Sequence, residues 1–166
     1  MSAPWQRRWV AIDLGDRRIG LAVSDPHGMI ASPAGHVERR PGKRPPLTAL
    51  LARVRELEAE GIVVGLPLDQ QGDDTPRATE ARRLAHELST RTGLPAEMVD
   101  ERFSTAAALR AVQEMEGSTR GRKGDVDALA ATVLLQHALR SMELAAERAL
   151  NAGPVSDARG EDTTDA

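Results

Sequence analysis

Residues 10–24 read VAIDLGDRRIGLAVS. Two apolar runs rich in β-branched residues, VAIDL at 10–14 and IGLAVS at 19–24, flank the turn GDRR. Runs of this length joined by such a turn predict a β-hairpin. One residue breaks the apolar pattern, Asp13. A carboxylate inside an apolar strand is costly to bury unless it is paired or bound to a cation. Strand alternation puts Ile12 and Leu14 on one face and Asp13 on the other.

Outward from the hairpin, MIAS at 29–32 predicts a third antiparallel strand after the turn at 26–28. Leu47, Leu50, Leu51, Val54 and Leu57 fall at helical spacing, which predicts an amphipathic helix over 47–60, stopped by Gly61. IVVGL at 62–66 is a fully apolar strand ended by Pro67. Thr75 as N-cap, Pro76 at the first helical position and Gly93 past the far end predict a helix over 76–92. Its inward residues are Ala78, Ala81, Leu84, Ala85 and Leu88. A short strand at 96–99 leads into DERFST, where Ser104 can cap a helix over 105–116. A last helix runs from near Asp125 to about residue 150. Three antiparallel strands followed by βαβ units predict an α/β fold, a mixed five-stranded sheet with helices on both faces. Residues 1–8 read as a flexible N-terminus, 9–150 as one domain and 151–166 as a disordered acidic tail.

Composition narrows the function. The 166 residues suit one domain, and 40% apolar residues suit a core of ordinary size. Without cysteine there is no disulfide scaffold, zinc ribbon or thiol nucleophile. The start lacks the long apolar region of a secretory signal, and no run approaches the roughly 18 apolar residues of a membrane span. A cytoplasmic protein with no membrane partner is expected. Trp5, Trp9 and Phe103 are too few aromatics for a base-stacking platform. No serine lies in a GxSxG turn, and His27, His36, His86 and His137 read as surface or helix-packing residues.

The formal net charge is -3, which at first sight disfavours a nucleic-acid partner. Position changes its meaning. Asp157, Glu161, Asp162 and Asp165 stand against Arg159 alone in the tail, so the whole deficit lies there and the rest of the chain is neutral. Two loops are basic, HVERRPGKRPP at 36–46 and GSTRGRKG at 117–124, and both suit phosphate contacts.

Asp13 has company. Asp100 and Glu101 lie at the carboxyl end of a predicted strand, and Asp125 and Asp127 at the start of the last helix. Ligands of open α/β sheets gather at the carboxyl ends of the strands. Three segments therefore each offer an acid to one crevice. Oxygen ligands without His or Cys suit Mg²⁺ or Mn²⁺. One or two such ions can clamp the attacking water and leaving oxygen of a phosphodiester.

The stretches AIDLGDRRIGLAVSD, IVVGLPL, DERFST and KGDVDALAATVLLQ resemble the YqgF/RuvX family, the Holliday-junction-resolvase-like, pre-16S ribosomal RNA nucleases of bacteria. The resemblance spans roughly residues 9–140, with four motifs in order and register. It implies an RNase H-like fold and metal-dependent cleavage of a phosphodiester, in the cell the maturation of the 5′ end of the small-subunit rRNA. Carried over by motif, Asp13, Glu101 and Asp127 are the implied catalytic and metal-binding acids, with Glu101 chosen over Asp100 and Asp127 over Asp125. Arg17, Arg18, Arg102, Arg120, Arg122 and Lys123 are the candidate substrate-binding residues. The segment LDQQGDDTP after Leu66–Pro67 departs from the family pattern. Expected partners are pre-rRNA or branched DNA, bound by a monomer or homodimer. Two other readings stand beside the rRNA nuclease: a non-catalytic RNA-binding ribosome-assembly factor, and a resolvase of Holliday junctions. An ATP-using phosphotransferase fits poorly, since there is no GxxxxGK[ST] loop and no room for a second nucleotide-binding domain.

Overall fold

The computed structural model describes residues 3–102 and 123–153, and of residues 123–125 the backbone alone. The strands are β1 (Trp9–Leu14), β2 (Arg18–Ser24), β3 (Ala31–Glu38), β4 (Gly61–Leu66) and β5 (Ala96–Asp100). The helices are α1 (Leu47–Glu56), α2 (Pro76–Thr92) and α3 (Lys123–Asn151). The five strands form one sheet in the order β3-β2-β1-β4-β5. β1 runs antiparallel to β2 and parallel to β4, and β4 runs parallel to β5. The mixed α/β sheet expected from the sequence is therefore present, with β1 at its centre.

Alternation along β1 divides the core in two. Val10, Ile12 and Leu14 pack with Ile19, Leu21, Ile62 and Val64 against α1 and α2. Trp9 and Ala11 pack with Ala22 and Val63 against Ala131, Leu135, Ala138 and Leu139 of α3. Each buried leucine on these faces contributes about 1.5–3 kcal/mol. The second face carries small residues, so α3 lies close to the sheet. Asp13 belongs to this face, as the alternation predicts.

α2 has the bounds that its end signals predict. Thr75 Oγ1 accepts from the Ala78 N–H at 3.1 Å, Pro76 fills the first position, and Gly93 closes the helix at φ 71. All five residues expected to face inward are buried. β3 differs from expectation: it spans Ala31–Glu38, not 29–32, and so takes in residues 36–38 of the predicted loop. It is a half-exposed edge strand containing Pro33 and Gly35, with a register shift opposite Gly20 and Ala22. Edge strands tolerate proline and need no apolar alternation, so the usual strand signal is missing. α1 stops at Glu56 and the chain reverses at Glu58, φ 55, so Gly61 opens β4 rather than ending the helix. α3 begins at Lys123, slightly ahead of Asp125. The predicted helix over 105–116, most of the second basic loop and most of the acidic tail lie outside the described residues.

The chain ahead of β1 makes contacts of its own. Trp9 Nε1 donates to Trp5 O at 2.8 Å, Arg7 stacks over the Trp9 ring, and Arg8 N donates to Glu60 Oε2 at 3.2 Å. Buried Ser24 accepts from Trp9 N at 2.8 Å.

Candidate active site

Register explains how the sheet accommodates an acid. Asp13 pairs with Gly20 of β2. On its other side Ile12 pairs with Val64, so the next residue of β4, Gly65, lies beside Asp13. Laterally paired residues share a face, and both neighbours lack a side chain on the face that Asp13 uses. Something else fills each space. A Cβ on Gly20 would stand 2.1 Å from the Asp127 carbonyl oxygen, so the start of α3 rests on that glycine. A Cβ on Gly65 would stand 1.7 Å from Glu101 Oε1 and 3.1 Å from Leu134 Cδ2. The two glycines thus bring Glu101 and the backbone of Asp127 down on either side of Asp13. Asp13 and Glu101 are 5% and 3% exposed, which makes them two of the three buried polar residues among those described.

Glu101 follows β5 directly, and its N–H donates to Leu66 O at 3.2 Å, which ties it to the end of β4. Burial pushes its carboxyl up to about 7; the positive charge of Arg77 opposes this and Asp100 adds to it. Asp100 has the opposite environment. It is exposed, and the Arg102 guanidinium holds its carboxyl below the usual range, with Nε to Oδ2 at 2.9 Å and Nη2 to Oδ2 at 2.7 Å. The two neighbouring acids thus differ in setting: Glu101 is buried over Gly65, and Asp100 is exposed and bonded to Arg102.

The segment after Leu66 seats that arginine. Asp69 Oδ1 accepts from the N–H groups of Gln71 and Asp73 at 2.9 and 2.8 Å, folding the loop. Gly72, at φ 86, then lies so close to Arg102 that a Cβ would stand 2.8 Å from Nη1.

The other candidate basic residues divide. Arg18 opens β2 and shares a face with Gly20 and Asp13. Arg17 is exposed in the β1–β2 turn, where its carbonyl accepts from Arg39 N at 2.9 Å. Lys123 opens α3, while Arg120 and Arg122 lie outside the described residues. Arg39, from the first basic loop, is turned inward. Its side chain is 7% exposed, bonded to both Glu80 oxygens at 2.8 and 3.0 Å and to the Lys43 carbonyl at 2.6 Å. These bonds tie the loop to α2. Arg77, which sequence reasoning passed over, ion-pairs with Asp16 and acts on Glu101. Its only sequence signal is a cation in the first turn of a helix, the end that disfavours positive charge.

Among the described residues no three His, Asp or Glu side chains already stand together as a cation cage. The donor chemistry nonetheless suits a hard divalent cation, since Asp13, Glu101 and Asp127 offer oxygen alone. The paired glycines leave the space beside Asp13 to the other acid-bearing segments.

Comparison with known proteins is consistent across sequence and fold. Residues 7–141 match the RuvX family, described as Holliday junction resolvase. A "Putative pre-16S rRNA nuclease" of Clavibacter michiganensis is 39% identical over 145 residues, covering 87% of each chain. A relative of the same description from Koribacter versatilis is 43% identical over 129 residues, 78% of this chain and 84% of that one. Among solved structures, T. thermophilus RuvC in complex with a Holliday junction substrate superposes with a TM-score of 0.50 at 15% identity, over 82% of this chain and 96% of that one. That likeness gives the fold, which is RNase H-like, and the sequence matches give the family: the chain belongs to the RuvX family of nucleases.

Proposed function

We propose that this chain is a divalent-cation-dependent nuclease that hydrolyses phosphodiester bonds of pre-16S rRNA, at work in the cytoplasm. The observation that carries the reading is Asp13 on the central strand, between two glycines whose spaces are taken by Glu101 and by the Asp127 backbone. Asp13, Glu101 and Asp127 are the residues that would hold Mg²⁺ or Mn²⁺, whose chemistry is to activate water and neutralise charge at phosphorus. The protein does the rest. Burial keeps bulk water from the two carboxylates and strengthens every charge interaction there. Glu101, whose carboxyl burial pushes up to about 7, would release its proton where a cation is bound. Arg18, on the Asp13 face of β2, and Arg102, at the end of β5, would hold phosphate oxygens. With so few aromatics, recognition rests on backbone and shape rather than on stacked bases.

The test is cleavage of a pre-16S rRNA fragment with Mn²⁺ by the full chain. Asp13→Asn, Glu101→Gln and Asp127→Asn should each abolish cleavage while leaving the fold intact by circular dichroism. Wild type and Asp13→Asn giving identical fragments would refute the nuclease and leave the assembly-factor reading. A four-way DNA junction assayed alongside separates a resolvase from an rRNA nuclease.

A further inference from the structure

Arg77 stands in the first turn of α2, directly after Pro76. The 67–75 loop delivers this turn from the end of β4, so Arg77 reaches the edge of the sheet where β1, β4 and β5 all end. Two interactions fix its place. Its Nη2 donates to Asp16 Oδ1 in the β1–β2 turn, and its charge acts on the Glu101 carboxyl. The guanidinium is therefore held at the turn after Asp13, on the sheet edge where Glu101 follows β5.

Helix stability does not ask for an arginine there. The first turn of a helix is the positive end of its dipole, and α2 has no acid in that turn to offset the charge. The pair with Asp16 is also open to water, the two side chains being 29% and 74% exposed. Exposed ion pairs of this kind are cheap to open. A guanidinium so released can take phosphate oxygens in a two-pronged bond. Arg39, by contrast, is committed to the fold: its side chain is 7% exposed and gives both terminal nitrogens to Glu80. Arg77 meets Asp16 through Nη2.

We propose that Arg77 is a phosphate ligand for the substrate strand, and that Asp16 holds its guanidinium in place until a phosphodiester displaces the carboxylate. The assignment rests on the nuclease reading above and adds a residue to its substrate contacts.

The experiment measures binding rather than cleavage. Full-length wild type, Arg77→Ala, Arg77→Lys and Asp16→Asn are titrated without divalent ion against a labelled single-stranded RNA and a labelled four-way DNA junction, over a range of KCl. Arg77→Ala should weaken binding about tenfold at low salt and lower the slope of log affinity against log salt by about 0.7 for RNA and about 0.9 for duplex arms. Arg77→Lys should keep the slope and lose about threefold in affinity, because it retains the charge without the fork. Asp16→Asn should bind about threefold tighter than wild type, because the guanidinium no longer has to leave a carboxylate. A purely structural arginine would move the melting temperature and not the salt slope. Arg77→Ala with wild-type affinity and slope overturns the assignment alone, and Asp16→Asn binding more weakly than wild type overturns the displacement by phosphate. Wild type that binds neither probe overturns the nucleic-acid reading and this assignment together.

Discussion

Gly65 and Glu101 occupy one space: a Cβ on the glycine would stand 1.7 Å from the carboxylate oxygen of the acid. The glycine on β4 is therefore the seat of the acid that follows β5. Gly65→Ala should push Glu101 off its seat and cost about 1–3 kcal/mol as overpacking. Because a carboxylate can swing aside, the protein should still fold, yet cleavage should fall at least as far as in Glu101→Gln. Urea unfolding and a cleavage assay on one preparation check both parts. Full activity in Gly65→Ala would show that Glu101 need not lie over β4.

Gly20 faces backbone instead of a side chain. A Cβ there would stand 2.1 Å from the Asp127 carbonyl oxygen and 2.7 Å from its carbon. A helix backbone cannot turn away as a side chain does, so α3 must lift from the sheet. Gly20→Ala is expected to cost more than Gly65→Ala, about 3 kcal/mol or beyond. The difference between their urea midpoints is the measurement, and equal midpoints would contradict it.

Glu101 also sets a pH dependence. Its carboxyl titrates at about 7 in the folded chain, against 4.5 as the ordinary value. Between those values the folded state holds a proton that the unfolded state has lost. Stability of the cation-free protein should thus be fullest below the ordinary value and decline as pH rises toward about 7, by roughly 3 kcal/mol in all. Glu101→Gln should flatten that decline and be more stable than wild type at about pH 8. Mn²⁺ should recover the loss in wild type and not in the variant. Denaturant midpoints across pH, with and without Mn²⁺, decide it.

Much of this arrangement is written in local chemistry. Thr75, Pro76 and Gly93 mark both ends of α2 because capping is a short-range matter of a few residues. Asp13 stands out because an acid is rare in a buried strand. β3 escapes notice because an edge strand buries too little to need an apolar pattern, and Pro33 and Gly35 disguise it further. The roles of Gly20 and Gly65 are not local at all. They emerge once register sets both beside Asp13, and register is a property of the assembled sheet. Arg77 escapes for the same reason, since its meaning depends on Asp16 in a distant turn.

Arg39 and Glu80 show why a basic loop is a poor guide to phosphate binding. The arginine is 7% exposed by side chain and the glutamate 32%, and the guanidinium also reaches the carbonyls of Gly15 and Lys43. Breaking such a pair from the acidic side strands a buried cation, whereas removing the cation itself leaves a partly solvated carboxylate. Glu80→Ala should therefore destabilise more than Arg39→Met, by about 2 kcal/mol after allowing for the exposure of Glu80. The double variant should recover part of that loss. Neither single variant should alter the salt dependence of nucleic-acid binding, in contrast to Arg77→Ala. A double-mutant cycle by urea unfolding, paired with the salt titration, measures both, and a changed slope in Arg39→Met would return that side chain to the phosphate-binding set.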